Sequence, residues 1–152
     1  MEVTTLLADF SFRLASQEEV LDILREKHLI ALLAPKSRTL TELAGAIALR
    51  QPRYMLASYK QYHTLFRADD LGNNLCDVHI ACPKASKVAS RILVLGLCAW
   101  LFKLSELRPK TLMTSCPEGK IANMLRKVGA VEVKTLNGKV YFAATAESFN
   151  LK

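Results

Sequence analysis

Apolar residues are spaced along this chain with two different periods, and the change of period marks its elements. The longest unbroken run is Ile92 to Phe102, ILVLGLCAWLF, eleven residues without a charge. With polar SKVASR before it and Pro109 beyond it, the run predicts a buried helix from about Ser86 to Leu104. Eleven residues fall well short of the roughly 20 that cross a bilayer, so a place in the core is expected and no membrane span. Farther on, Ile121, Met124, Leu125 and Val128 stand at i, i+3, i+4 and i+7. That is the stripe of an amphipathic helix, opened by Pro117 and Glu118 and stopped by Gly129 at C′.

Shorter apolar, β-branched or aromatic stretches predict strands. They are EVTTLLADFSF at the start, then RYMLASYKQ, HTLFRAD and LCDVHIAC in succession, then TLMTSC. AVEVKTL and KVYFAAT flank Asn137-Gly138, the strongest hairpin signal in the chain. Two capping boxes open helices between the first and second strands. Ser16 with Glu19 leads into Val20, Ile23, Leu24 and Lys27, a helix to about His28. Thr39 with Glu42 leads into LTELAGAIALR, which ends before Pro52.

The order is therefore β-α-α-β-β-β-α-β-α-β-β. Only strand 4, the long helix and strand 5 form a crossover of the kind that parallel strands need. The expected fold is α/β (α+β): a central mixed, mostly antiparallel sheet of about seven strands with helices on both faces, in one domain over 1–152. Strands Leu75–Cys82 and Thr111–Ser115 are expected to lie parallel and to diverge at their C-terminal ends.

Composition narrows the class. Apolar residues are 51% and charged residues 23%, a globular balance. Met1 leads into an acidic, polar start, which predicts no secretory signal and a cytoplasmic location. Cys76, Cys82, Cys98 and Cys116 contain no C-x-x-C pair, and His28, His63 and His79 complete no zinc pattern. Four reduced thiols and no metal are expected.

Charge changes the picture more. The net charge is +7, yet Met1 to Cys76 carries 9 basic and 9 acidic residues, and Asp77 to Lys152 carries 12 and 5. The whole excess lies in the second half. Such a bias suits an anionic ligand or partner, or solubility alone. It concentrates where the long helix begins: Lys84, Lys87 and Arg91 crowd that end with no acid among them, against the helix dipole. Either the side chains splay into water or an anion sits there.

This element order, with the motifs between Asp77 and Ala143, resembles the GNAT superfamily of acyl-CoA-dependent N-acetyltransferases. In that family a strand ending near a proline leads into a loop R/Q-x-x-G-x-G/A, whose backbone amides hold the CoA pyrophosphate at a helix N-terminus. Aligned from Pro83, the loop here is Ser86-Lys87-Val88-Ala89-Ser90-Arg91, with Ala89 and Arg91 in place of the glycines. The resemblance implies acetyl-CoA or CoA as cofactor, lying against Cys82, Ser86, Lys87, Val88, Ala89, Ser90 and Arg91. A later helix in the family carries an asparagine, a tyrosine that protonates the leaving thiolate, and a glycine-aromatic pair. Here EGKIANMLRKVGAVEV keeps Gly129 but has Glu118, Leu125 and Ala130 at the other places. Asp77 and His79 alternate onto one face of strand 4 and are the candidates for a general base. A solvated strand-end Asp77 and a half-buried structural His79 explain the same residues without catalysis.

The same departures are similar to those of GNAT-like proteins of tailed phages, on PKASKVASR…W and TSCPEGKIANMLRKVGAV. In short-tailed phages that group serves head assembly. This resemblance implies a virion-morphogenesis protein with catalysis lost or weakened, whose partners are phage structural or internal virion proteins in the host cytoplasm. Two alternatives stay open: an acetyl-CoA-dependent N-acetyltransferase with a degenerate pyrophosphate loop, and a basic accessory protein that binds nucleic acid, DNA among the anionic ligands expected. Fold alone does not establish chemistry.

Overall fold

Val3–Leu7 forms a short helix, α1, where a strand was expected. Val3 and Leu6, one turn apart, are its buried residues, and the Val3 amide donates to the Lys152 carbonyl at 3.4 Å. That tertiary partner is invisible to a local reading of β-branched residues. The strand, β1, comes later, at Phe10–Leu14. The Ser16 capping box forms as expected. The Ser16 amide donates to Glu19 Oε1 at 2.9 Å, and the Glu19 amide donates to Ser16 Oγ at 3.2 Å, opening α2 over Gln17–Leu24. The computed structural model describes residues 1–24 and 54–152. The expected continuation of α2 to His28 and the Thr39–Glu42 helix lie outside the described residues.

Strands β2 (Met55–Tyr59), β3 (Tyr62–Asp70) and β4 (Leu75–Ala81) follow in the order expected. The long helix starts differently. Lys84–Ala89 is wound as a 3₁₀ helix, and the α-helix proper, α3, occupies Ser90–Lys103. Together they run twenty residues, long and apolar enough to cross a membrane by length and composition. Leu93, Leu97 and Ala99, all 0% exposed, make α3 a core helix instead, while Trp100 is only half-buried.

The next helix also begins later than its proline suggested. Pro117 is the last residue of β5 (Thr111–Pro117) and pairs with Lys139. Helix α4 spans Lys120–Val128. Its buried residues are Ala122 and Leu125, whereas Ile121 is exposed, a correction to the expected apolar stripe. The helix packs against β5. Gly129 ends α4 at φ +111°, and the Ala130 amide reaches back to the Leu125 carbonyl at 3.0 Å. Strands β6 (Val131–Leu136) and β7 (Lys139–Ala144) then form the hairpin. Asn137 and Gly138 both take positive φ, +50° and +76°, as a type I′ turn requires.

The seven strands run in the order β1-β2-β3-β4-β5-β7-β6. Pairs β1/β2, β2/β3, β5/β7 and β6/β7 are antiparallel. Pair β4/β5 is parallel, registered from Leu75↔Thr111 to Asp77↔Met113, and β4 and β5 continue beyond that register without further registered pairs.

The chain divides into two compact units. One comprises Met1–Ala8, Ala68–Val78 and Val94–Lys152. It is built on β5, β6 and β7, with Leu97, Leu101, Leu112, Val140 and Phe142 buried. The other comprises Asp9–Arg67 and His79–Leu93. Its core joins Ala15, Val20, Ile23, Tyr54, Leu56, Leu65 and Ala81. Phe12 meets Phe66 edge-on there, at 6.3 Å between ring centres.

Candidate functional site

The segment that follows β4 is where the sequence directed attention. Pro83 precedes the 3₁₀ helix without any side-chain cap, and its first turn holds no acidic residue. The Ser86 amide donates to the Pro83 carbonyl at 2.9 Å, and the Ser90 amide donates to the Lys87 carbonyl. The Ser86 and Ser90 amides are therefore not free to hold an anion, as the family loop's amides would be. A 3₁₀ winding turns amides onto carbonyls three residues back, so the segment consumes donors that an open loop would present. Ser86 is buried, and its Oγ accepts the His63 amide at 3.0 Å, which ties the segment to the start of β3. Ala89 is buried too. Lys84, Lys87, Val88 and Arg91 are exposed, Val88 at 82%.

Cys82 is half-buried, its thiol 3.8 Å from the Pro83 carbonyl. Asp77 and His79 stand two apart on β4, both half-buried. Thr114 on β5 donates its hydroxyl to the Val78 carbonyl at 2.9 Å, just past the last registered pair of that ladder.

In α4 the position of the family tyrosine holds Leu125, buried at 5% exposure, which supplies no proton. The polar residue on that helix is Arg126. It holds both Glu118 oxygens at 2.7 and 2.8 Å, Asn123 Oδ1 at 2.9 Å and Glu132 at 3.1 Å, and its guanidinium lies 5.7 Å from the Phe142 ring centre. The hydrogen bonds it donates to Glu118 and then to Glu132 raise the Arg126 pKa, and Arg126 in turn lowers that of Glu118. Glu118, at the family's asparagine position, is therefore an anchor for α4.

A cavity of 310 Å³ opens in the second unit, and no sequence motif marked it. Leu56 and Ser58, alternate residues of β2, form one wall with the β2–β3 turn at Lys60. Glu19, Asp22 and Ile23, at i, i+3 and i+4 on α2, face them. Glu19 is bound by Arg13, and that hydrogen bond, with those from Ser16, pulls its pKa down to about 2. The capping box was legible in the sequence. That its carboxylate would also line a cavity was not, because β2 comes from more than thirty residues away.

No protein-family model matches this chain, and no curated protein does. Solved structures do. An acetyltransferase of the GNAT family from Bacillus anthracis superposes with a TM-score of 0.69 at 10% identity, covering 91% of this chain and 96% of its own. A variant of the spermidine N-acetyltransferase SpeG from Vibrio cholerae gives 0.71 at 11% identity, over 94% and 97%. The N-acetyltransferase PseH from Campylobacter jejuni gives 0.66 at 11% identity, over 90% and 98%. The chain has the GNAT fold, and at these identities the likeness establishes the fold.

The fold raises the question of CoA. The backbone cradle that the family motif implies at Ser86–Arg91 does not fit these residues. The Ser86 and Ser90 amides are engaged, Ser86 Oγ is held by the His63 amide, and Arg91 occupies the second glycine position. An anion at this segment would be met by the side chains of Lys87 and Arg91 rather than by the backbone.

Proposed function

We propose that this protein works in phage virion assembly, as a head-assembly protein that uses a GNAT fold as a scaffold with acetyl transfer lost or weakened. The observation that carries the reading is the Lys84–Ala89 segment, wound as a 3₁₀ helix where the family's pyrophosphate loop would stand. Leu125, buried at the thiolate-acid position, points the same way. A protein selected for surface recognition rather than for turnover has no need of either device.

The test is titration of acetyl-CoA and CoA into the purified protein, followed by complementation of phage that lack it. The reading expects binding no tighter than high micromolar, no transfer to generic amines, and particles of reduced infectivity without the protein. Low-micromolar acetyl-CoA affinity with amine acetylation would overturn it. A second reading, N-acetyltransferase, is favoured by the parallel β4/β5 pair and by the acetyltransferases whose fold the chain shares. In it Asp77 or His79 is the general base, and Asp77→Asn and His79→Gln would each lower turnover.

A further inference from the structure

We infer that the exposed face of the Lys84–Arg91 segment is a docking surface for an acidic, leucine-bearing segment of a partner protein; this rests on the assembly reading above. The face is made of side chains, not of helix-end amides. Ser86 and Ala89 are buried, which leaves Lys84, Ala85, Lys87, Val88 and Arg91 exposed. Lys87 and Arg91 meet no acidic side chain among the described residues, although Arg13 and Arg126 are both paired. Lys87 and Arg91, at the positive end of a helix, repel one another and oppose its dipole, and carboxylates from outside relieve both terms.

Val88 decides the kind of partner. At 82% exposure it is the most exposed of the large apolar residues described, and it stands between Lys87 and Arg91. A phosphate backbone or a small anion gains nothing from a valine. A peptide that alternates carboxylates with apolar side chains uses the valine and the cations together. The apolar contact gives the surface its specificity, and the cations give the approach its speed.

The experiment is fluorescence anisotropy with three labelled probes: a short synthetic peptide alternating glutamate with leucine, the same peptide with serine for leucine, and a short DNA duplex. The full chain is used at physiological salt, where surface steering is partly screened. The expected result is saturable binding of the glutamate–leucine peptide, weakened about tenfold or more by Lys87→Ala with Arg91→Ala. Val88→Ser should weaken it about threefold or more, and the serine peptide should bind the wild type weakly. All three side chains are exposed, so the variants should keep the wild-type circular dichroism and thermal midpoint. Absence of saturable peptide binding overturns the proposal. So does tighter binding of DNA than of peptide, or peptide binding indifferent to Val88→Ser. The assembly reading is judged separately, by acetyl-CoA turnover and by infectivity, so either can fail alone.

Discussion

Replacing Gly129 with alanine tests how the C-terminal part of the first unit is closed. Gly129 caps α4 at φ +111°, a conformation that side chains rarely adopt, at about 1–3 kcal/mol for a residue other than glycine. The added Cβ would also lie 2.2 Å from the Ser148 carbonyl oxygen and 3.2 Å from its carbon. Backbone cannot swing away as a side-chain tip does, so the 146–150 turn must shift. That turn carries Phe149, buried, with its ring centre 6.4 Å from that of Phe102. Losing that packing altogether adds about 1.5–3 kcal/mol. The expected destabilisation is about 2.5–6 kcal/mol, a large share of the roughly 5–15 kcal/mol that holds a domain folded. Gly138→Ala is the internal control. Gly138 also has positive φ, +76°, but nothing lies within 4 Å of its added Cβ, so only about 1–2 kcal/mol should be lost. Urea denaturation of both variants measures the difference. Equal losses would show that backbone strain is the whole effect and that the Ser148 approach is not tight.

Three further outcomes are expected. Leu97→Ala, at a site that is 0% exposed in α3, should destabilise by about 2–5 kcal/mol in the same assay, and a loss under about 0.5 kcal/mol would place α3 outside the core. Glu19, with its folded pKa near 2 against an ordinary 4.5, stabilises α2 fully above about pH 4.5 and loses that stabilisation as pH falls towards 2. Arg13 is exposed and Glu19 only half-buried, so the effect should stay under about 1 kcal/mol, and urea midpoints across that range should fall less steeply in Glu19→Gln than in the wild type. Thiol labelling in the native state should reach Cys82 first. Cys98 should react only on unfolding, since burial pushes its pKa up to about 12, and early labelling of Cys98 would contradict the packing of α3.

The candidate site was legible in part. Lys87 and Arg91 stand exposed at the helix start with no acid beside them, as their spacing suggested. The winding of the segment between them was not legible. Glycines at 89 and 91 would have signalled a loop, but their absence says only that a loop is disfavoured. The pairing of Ser86 with His63 needs β3 to lie alongside. The cavity at Glu19 and Asp22 has the same origin, since its opposite wall belongs to β2.

Sequence by itself determined those features whose partners lie within a few residues. The Ser16–Glu19 box, the Gly129 stop and the Asn137-Gly138 turn each close a ring of local hydrogen bonds or demand a φ that few residues supply. The strands and the long core helix follow from apolar periodicity in the same way. Tertiary structure decided what depends on distant chain. The N-terminal apolar stretch became a helix because its Val3 amide finds Lys152, and β5 ran on through Pro117 because β7 pairs with it. The apolar stripe of α4 turned to bury Ala122 with Leu125 and to expose Ile121, because the face a helix buries is set by what it packs against. The place of β7 between β5 and β6 is likewise a choice among pairings, settled by burial of Val140, Phe142 and Ala144 on β7 while every residue of β6 stays exposed.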